Sequence, residues 1–135
     1  MKNLFEQNIL IEFGDSDPQG ILYFANTYKL AHQCLETYWA QNELGWKFWF
    51  QNPEFAVPIR HSECDYLAPM KAGENYKSTL MCSKIGDSSV EFSCSFSNLS
   101  DDTVCATVKT VHVFVDRKSF NKISVPERIR ISVGS

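Results

Sequence analysis

The 135-residue chain has no apolar run that approaches the length needed to cross a bilayer. Its opening Met1-Lys2-Asn3-Leu4-Phe5-Glu6 holds no apolar signal core. Those absences predict a soluble, cytoplasmic protein. Positive charge is not in excess either: 13 Lys and Arg stand against 16 Asp and Glu, for a net charge of −3 and a pI near 5.6. Nucleic acid and membrane are therefore not expected as main partners. No CxxC spacing occurs, and the cysteine count of five is odd. Cys34, Cys64, Cys82, Cys94 and Cys105 are expected as free thiols in a reducing compartment, not as a disulfide framework or metal site. The chain also lacks repeats, low-complexity tracts and linkers, and its length predicts one domain over 1–135.

Histidine is scarce, and no His pairs with Cys or a carboxylate at metal-ligand spacing, so no metal is expected. His32 falls on the polar arc of a helical stretch, His61 beside Arg60 and Glu63 in a strand run, and His112 in register with Thr110 and Phe114. All three are expected as surface or packing residues. No Ser or Cys lies in a strand–turn–helix elbow, which disfavours a Ser-His-Asp hydrolase.

What the chain does have is clear periodicity. Residues Phe5 to Phe13 read as a strand, followed by the breakers Pro18 and Gly20. From about Phe24 to Glu43, the residues Phe24, Tyr28, Ala31, Leu35, Tyr38 and Trp39 recur at helical spacing, with Gly45 as a stop. Four strand patterns follow: Val57–Leu67, Asn75–Ile85, a run alternating Val90, Phe92, Cys94 and Phe96 with Glu91, Ser93, Ser95 and Ser97, and Val104–Val115. Gly73, Gly86-Asp87 and Ser100-Asp101-Asp102 separate them at hairpin-like distances. One strand, a long helix and an antiparallel meander make an α+β fold with the helix on one sheet face. The connections are too short for parallel crossovers.

Chemistry concentrates in Phe13-Gly14-Asp15-Ser16-Asp17-Pro18-Gln19-Gly20-Ile21, a tight turn ahead of the helix. It sets two carboxylates one residue apart. A glycine lets backbone approach a ligand, and the first N–H groups of a helix lack internal partners and carry partial positive charge. A thioester carbonyl docked there would have its developing oxyanion stabilised, with a carboxylate beside it to attack or to activate water.

The segment Ile11 to Ile21 resembles the active-site signature of the 4-hydroxybenzoyl-CoA thioesterase family of hotdog-fold acyl-CoA thioesterases. Asp65-Tyr66-Leu67-Ala68-Pro69 with Ala72-Gly73-Glu74, Val111-His112-Val113-Phe114-Val115-Asp116, and Ile123-Ser124-Val125-Pro126 extend the likeness over nearly the whole chain. The resemblance implies a curled sheet wrapped around one central helix, hydrolysis of an acyl- or aroyl-CoA thioester, and no cofactor besides the coenzyme A of the substrate. It makes Asp17 the nucleophile or general base, the Phe24 N–H the oxyanion donor, and Gly20 part of the same turn, with Asp15 and Asn26 as supports. A large branch of the family has a histidine where this chain has Ala25, which points to the hydroxybenzoyl-like branch. The resemblance further implies a homodimer with a continuous sheet, assembling into a homotetramer.

Tyr23 is a candidate substrate contact, and Lys71, Arg117, Lys118 and Arg128 are candidates for the phosphates of coenzyme A. The C-terminal cations, which include Lys122 and Arg130, are either solvated surface or a phosphate clamp. The aromatic cluster Trp46-Lys47-Phe48-Trp49-Phe50 is either core or dimer packing, or the wall of an acyl pocket. Two alternatives to hydrolysis are a non-catalytic acyl-CoA-binding module, which has no need of Asp17, and a hydratase or dehydratase, which needs a base that Ala25 does not supply.

Overall fold

In the computed structural model, which describes residues 2–134, a sixteen-residue helix α1 (Asn26–Gln41) lies across an antiparallel sheet. Its stripe of Thr27, Leu30, Ala31, Cys34, Leu35, Tyr38 and Trp39 is buried. The 3.6-residue period puts these side chains on one face, and the sheet supplies the matching apolar layer. The strands are β1 (Lys2–Leu10), β2 (Phe55–Ala56), β3 (Ile59–Tyr66), β4 (Asn75–Ile85), β5 (Ser89–Asn98), β6 (Val104–Val113) and β7 (Val115–Asp116). Five of them form one sheet in the order β1-β4-β5-β6-β3, while β2 and β7 pair separately.

Register explains the core. Phe5 pairs with Leu80, Leu80 with Cys94, Cys94 with Val108, and Val108 with Cys64. Alternation along β4 and β5 turns Tyr76, Ser78, Leu80 and Cys82, and Val90, Phe92, Cys94 and Phe96, to the buried side. Register shifts in all four ladders of this sheet bend the strands.

Several boundaries differ from expectation. The first strand stops at Leu10, and Phe13–Asp15 form a 3₁₀ turn. Helix α1 ends at Gln41, capped by Asn42, whose side chain reaches Tyr38 Oη (3.0 Å) and Ser132 Oγ (2.8 Å). Gly45 does not end it; at φ +78 it opens a second helix, α2 (Gly45–Phe50), which contains the aromatic cluster. A third helix, α3 (Glu127–Val133), follows Pro126 and buries Ile129 and Val133.

The larger correction concerns β3 and β4, which are not a hairpin. They lie three strand positions apart, so residues 67–74 must cross about 14 Å of sheet. Eight extended residues reach about 26 Å, which is sufficient. The crossing is pinned along its length by Leu67 N–H to Cys105 O (2.8 Å), Leu22 N–H to Met70 O (2.7 Å) and Ala72 N–H to Gly20 O (3.1 Å). It thereby draws the Asp-containing turn, the start of α1 and the end of β3 together. Strand β3 is an edge strand with no buried residue.

Candidate active site

Between the start of α1 and this crossing lies a cavity of about 450 Å³. Asp17, Tyr23, Phe24 and Thr27 line one side, and Tyr66, Leu67, Met70 and Cys105 the other. Among the described residues, Asp17 is the one Asp, Glu, Lys or Arg in its wall, and no histidine lines it.

The turn that holds Asp17 is built from its own sequence. Pro18 presets the bend, the Gly20 N–H donates to Asp17 O (3.0 Å), and the Asp17 N–H donates to Ile21 O (2.8 Å). The Gln19 N–H donates to Asp17 Oδ1 (2.8 Å), the side-chain turn that Asp favours. Among the described residues, nothing donates to Oδ2. Gly20 adopts φ +81, which only glycine takes without strain. Its N–H serves the turn and it does not line the cavity, so its part in the site is conformational.

Asp15 does a different job. Its Oδ2 accepts from the Glu12 N–H (3.1 Å), and its carbonyl accepts from the Tyr23 N–H (2.9 Å) and Asn26 Nδ2 (3.0 Å). This carboxylate closes the turn back onto the chain before it, and Asn26 ties the turn to the helix.

At the helix start, Asn26 N–H donates to Tyr23 O (2.9 Å) and Thr27 N–H to Phe24 O (3.3 Å). No described group accepts from the Phe24 N–H. Phe24, with this free backbone donor, and Asp17, with its carboxylate, both line one largely apolar cavity, and a donor with a carboxylate is the pair needed to polarise and attack a carbonyl. Burial pushes the Cys105 thiol up, which disfavours the thiolate that a competing nucleophile needs.

The candidate site residues separate into two groups. Asp17, Gly20, Tyr23 and Phe24 come together, and Lys71 sits beside them through the Ile21–Lys71 bridge. Arg117, Lys118 and Arg128 lie at the far end of α1, about 24 Å of helix away. There Arg117 Nε donates to Asn52 O (2.7 Å), and Arg128 stacks 4.7 Å from the Phe48 ring centroid. Arg130 is a brace rather than a clamp, bonded to the carbonyls of Gly86 (2.7 Å) and Asp87 (3.0 Å). The aromatic cluster is also distant. Trp49 is fully buried, while Trp46 and Phe50 line a separate cavity of about 290 Å³ with His32, Trp39 and His112. Thr27, Met70 and Cys105 carried no local signal, because α1, the crossing segment and β6 meet around the cavity only in the tertiary structure.

His112 is buried against Trp39 and Phe92 with Nε2 2.9 Å from Thr110 Oγ1, and His32 and His61 are exposed beside Glu36 and Glu63. The five cysteines are free. Among the described residues, no helix is long and apolar enough to cross a membrane.

Comparison with known proteins identifies the family. The model of the thioesterase-like superfamily matches residues 11–132. A 1,4-dihydroxy-2-naphthoyl-CoA hydrolase of Nostoc punctiforme is 32% identical over 125 residues, covering 93% of this chain and 83% of the relative. One from Trichodesmium erythraeum is 30% identical over 90% of this chain and 88% of its own length. The crystal structure of a 1,4-dihydroxy-2-naphthoyl-CoA thioesterase from Synechocystis superposes with a TM-score of 0.83 at 21% identity, covering 96% of this chain and 94% of that one, and shares the hotdog fold. The chain belongs to the thioesterase-like superfamily.

Proposed function

We propose that this protein hydrolyses an acyl-CoA thioester to the free acid and coenzyme A, with a hydroxylated aromatic acyl group as its preferred cargo. One observation carries the proposal: Asp17 and Phe24, whose backbone N–H has no acceptor among the described residues, line the same largely apolar cavity. The thioester oxygen accepts from the Phe24 N–H, which is worth roughly 10²–10³ in rate for such a donor. Asp17 Oδ2 either attacks the carbonyl carbon or takes a proton from the attacking water; both routes use the carboxylate in this position. The absence of a histidine from the cavity wall argues against hydration of a double bond.

Two lines meet on the acyl group. The turn resembles that of 4-hydroxybenzoyl-CoA thioesterases, and the curated relatives act on 1,4-dihydroxy-2-naphthoyl-CoA. Both acyl groups are hydroxyaroyl, and the ring-lined cavity suits a flat apolar body. Lys71, bridged to Ile21 beside the cavity, would meet a coenzyme A phosphate in the same protomer. Arg117, Lys118 and Arg128 would serve a neighbouring protomer's ligand, in a homodimer joined through the exposed edge of β3 and assembled further into a tetramer.

The test is free-thiol release from benzoyl-, 4-hydroxybenzoyl-, 1,4-dihydroxy-2-naphthoyl-, phenylacetyl- and palmitoyl-CoA, with wild type beside Asp17→Asn. Hydrolysis of the hydroxyaroyl esters, lost by at least a thousandfold in a folded variant, is expected. Binding of these esters without thiol release would make the protein a binding module instead.

A further inference from the structure

We infer that Tyr66 is a positioning residue for the oxyanion donor: its hydroxyl, mounted on the end of β3, clamps the Phe24 carbonyl and so holds the Phe24 N–H in one direction. The inference rests on the thioester hydrolysis proposed above and adds a residue to its machinery.

The Tyr66 hydroxyl donates to Phe24 O at 2.9 Å, across 42 residues of sequence. The other donor to that carbonyl, the Thr27 N–H, stands at 3.3 Å, beyond the usual range for an N–H···O bond. Phe24 itself is 62% exposed, so little packing holds it. Its two flanking peptides are coupled through its own φ and ψ. The Asn26 N–H fixes the Tyr23 carbonyl, and with it the planar peptide that carries the Phe24 N–H. On the other side, the Phe24 carbonyl depends on Tyr66. The Asn26 N–H reaches the Tyr23 carbonyl only while Phe24 and Ala25 keep their φ and ψ, so release of the Phe24 carbonyl frees Phe24 to turn, opens that bond as well, and displaces the donor from the oxyanion.

The mount is rigid. Tyr66 pairs with Ala106 in the β3–β6 ladder, and the Leu67 and Ala68 N–H groups, just beyond it, both donate to Cys105 O at 2.8 and 3.0 Å. The ring is 52% exposed, so the side chain contributes little to the core, whereas its hydroxyl is directed at the helix start. Desolvation, and after it the neighbouring Cys64 thiol, push that hydroxyl up to about 12, so it remains a donor throughout the working pH range.

Tyr66→Phe removes the hydroxyl and keeps the ring. Two measurements test it. In the ligand-free protein labelled with [¹⁵N]phenylalanine, the Phe24 amide order parameter is expected to fall from about 0.85 to below about 0.6. Phe92, Phe96 and Phe114 stay ordered and serve as controls for the fold. In turnover of the best thioester of the panel, kcat is expected to fall about 10- to 100-fold while KM stays within about threefold, since the donor acts on the transition state. An unchanged Phe24 amide overturns the inference, and so does an unchanged kcat with a loosened amide. If wild type releases no thiol from any ester, the hydrolysis proposal fails, and the amide measurement by itself upholds or overturns the clamp.

Discussion

His112 makes the stability of this fold depend on pH in a defined window. The imidazole is 2% exposed, enclosed by Trp39 and Phe92 edge to face at 5.7 and 5.3 Å, with Thr110 Oγ1 as its partner at 2.9 Å. Desolvation, with a smaller contribution from His32, lowers its pKa from 6.5 to about 4. The sign follows from the protons each state binds. Between pH 6.5 and 4 the unfolded chain protonates this residue and the folded chain does not, so acid draws the equilibrium toward unfolding. Stability is complete above pH 6.5 and is lost as pH falls toward 4. A shift of that size corresponds to about 3 kcal/mol in full, of which about 2 kcal/mol is lost between pH 7.5 and pH 5. The assay is urea unfolding at both values for wild type and His112→Phe, which keeps an aromatic ring in the cluster and removes the titration. Carboxylates common to both proteins cancel in the comparison. The variant is expected to lose about 2 kcal/mol less than wild type over this interval. Equal losses would refute the assignment of a buried neutral imidazole.

Two further substitutions test the site. Asn26→Ala removes the side-chain bond to Asp15 O and should cost about 1 kcal/mol in urea unfolding. The same change should lower kcat about tenfold, because the turn and the helix start then move independently; unchanged turnover would detach Asn26 from the site. Cys105→Ala should leave thioester hydrolysis within about threefold of wild type, since burial disfavours the thiolate. A loss of a hundredfold or more would make that thiol a participant.

The helix and the strands were legible because their side-chain periods differ. The alternation of Val90, Phe92, Cys94 and Phe96 places them on the buried face of β5, and of the apolar recurrence from Phe24 to Trp39 the residues Ala31, Leu35, Tyr38 and Trp39 lie in the buried stripe of α1, while Tyr28 is half-buried and Phe24 exposed. Helix α3 went unseen because seven residues between a proline and a glycine present too few turns for a period to show. Gly45 reads as a helix stop from sequence, although a positive-φ residue can equally open the next helix. Gly73 suggested a hairpin, yet the strands on either side of it have different neighbours, and pairing between distant strands leaves no local mark.

The turn around Asp17 is likewise a local object. Asp, Pro and Gly at those offsets bond to one another within five residues, so the sequence by itself determined its shape, its carboxylate and the helix that follows. It also determined the superfamily and the α+β class. Only the tertiary structure decided what faces that carboxylate. The crossing from β3 to β4 carries Tyr66 and Met70 to the helix start and leaves Arg117, Lys118 and Arg128 at the other end of α1. Sequence separation does not encode such proximity. It follows from which strands pair, and that is settled by the register in which the buried faces of the whole sheet meet the helix.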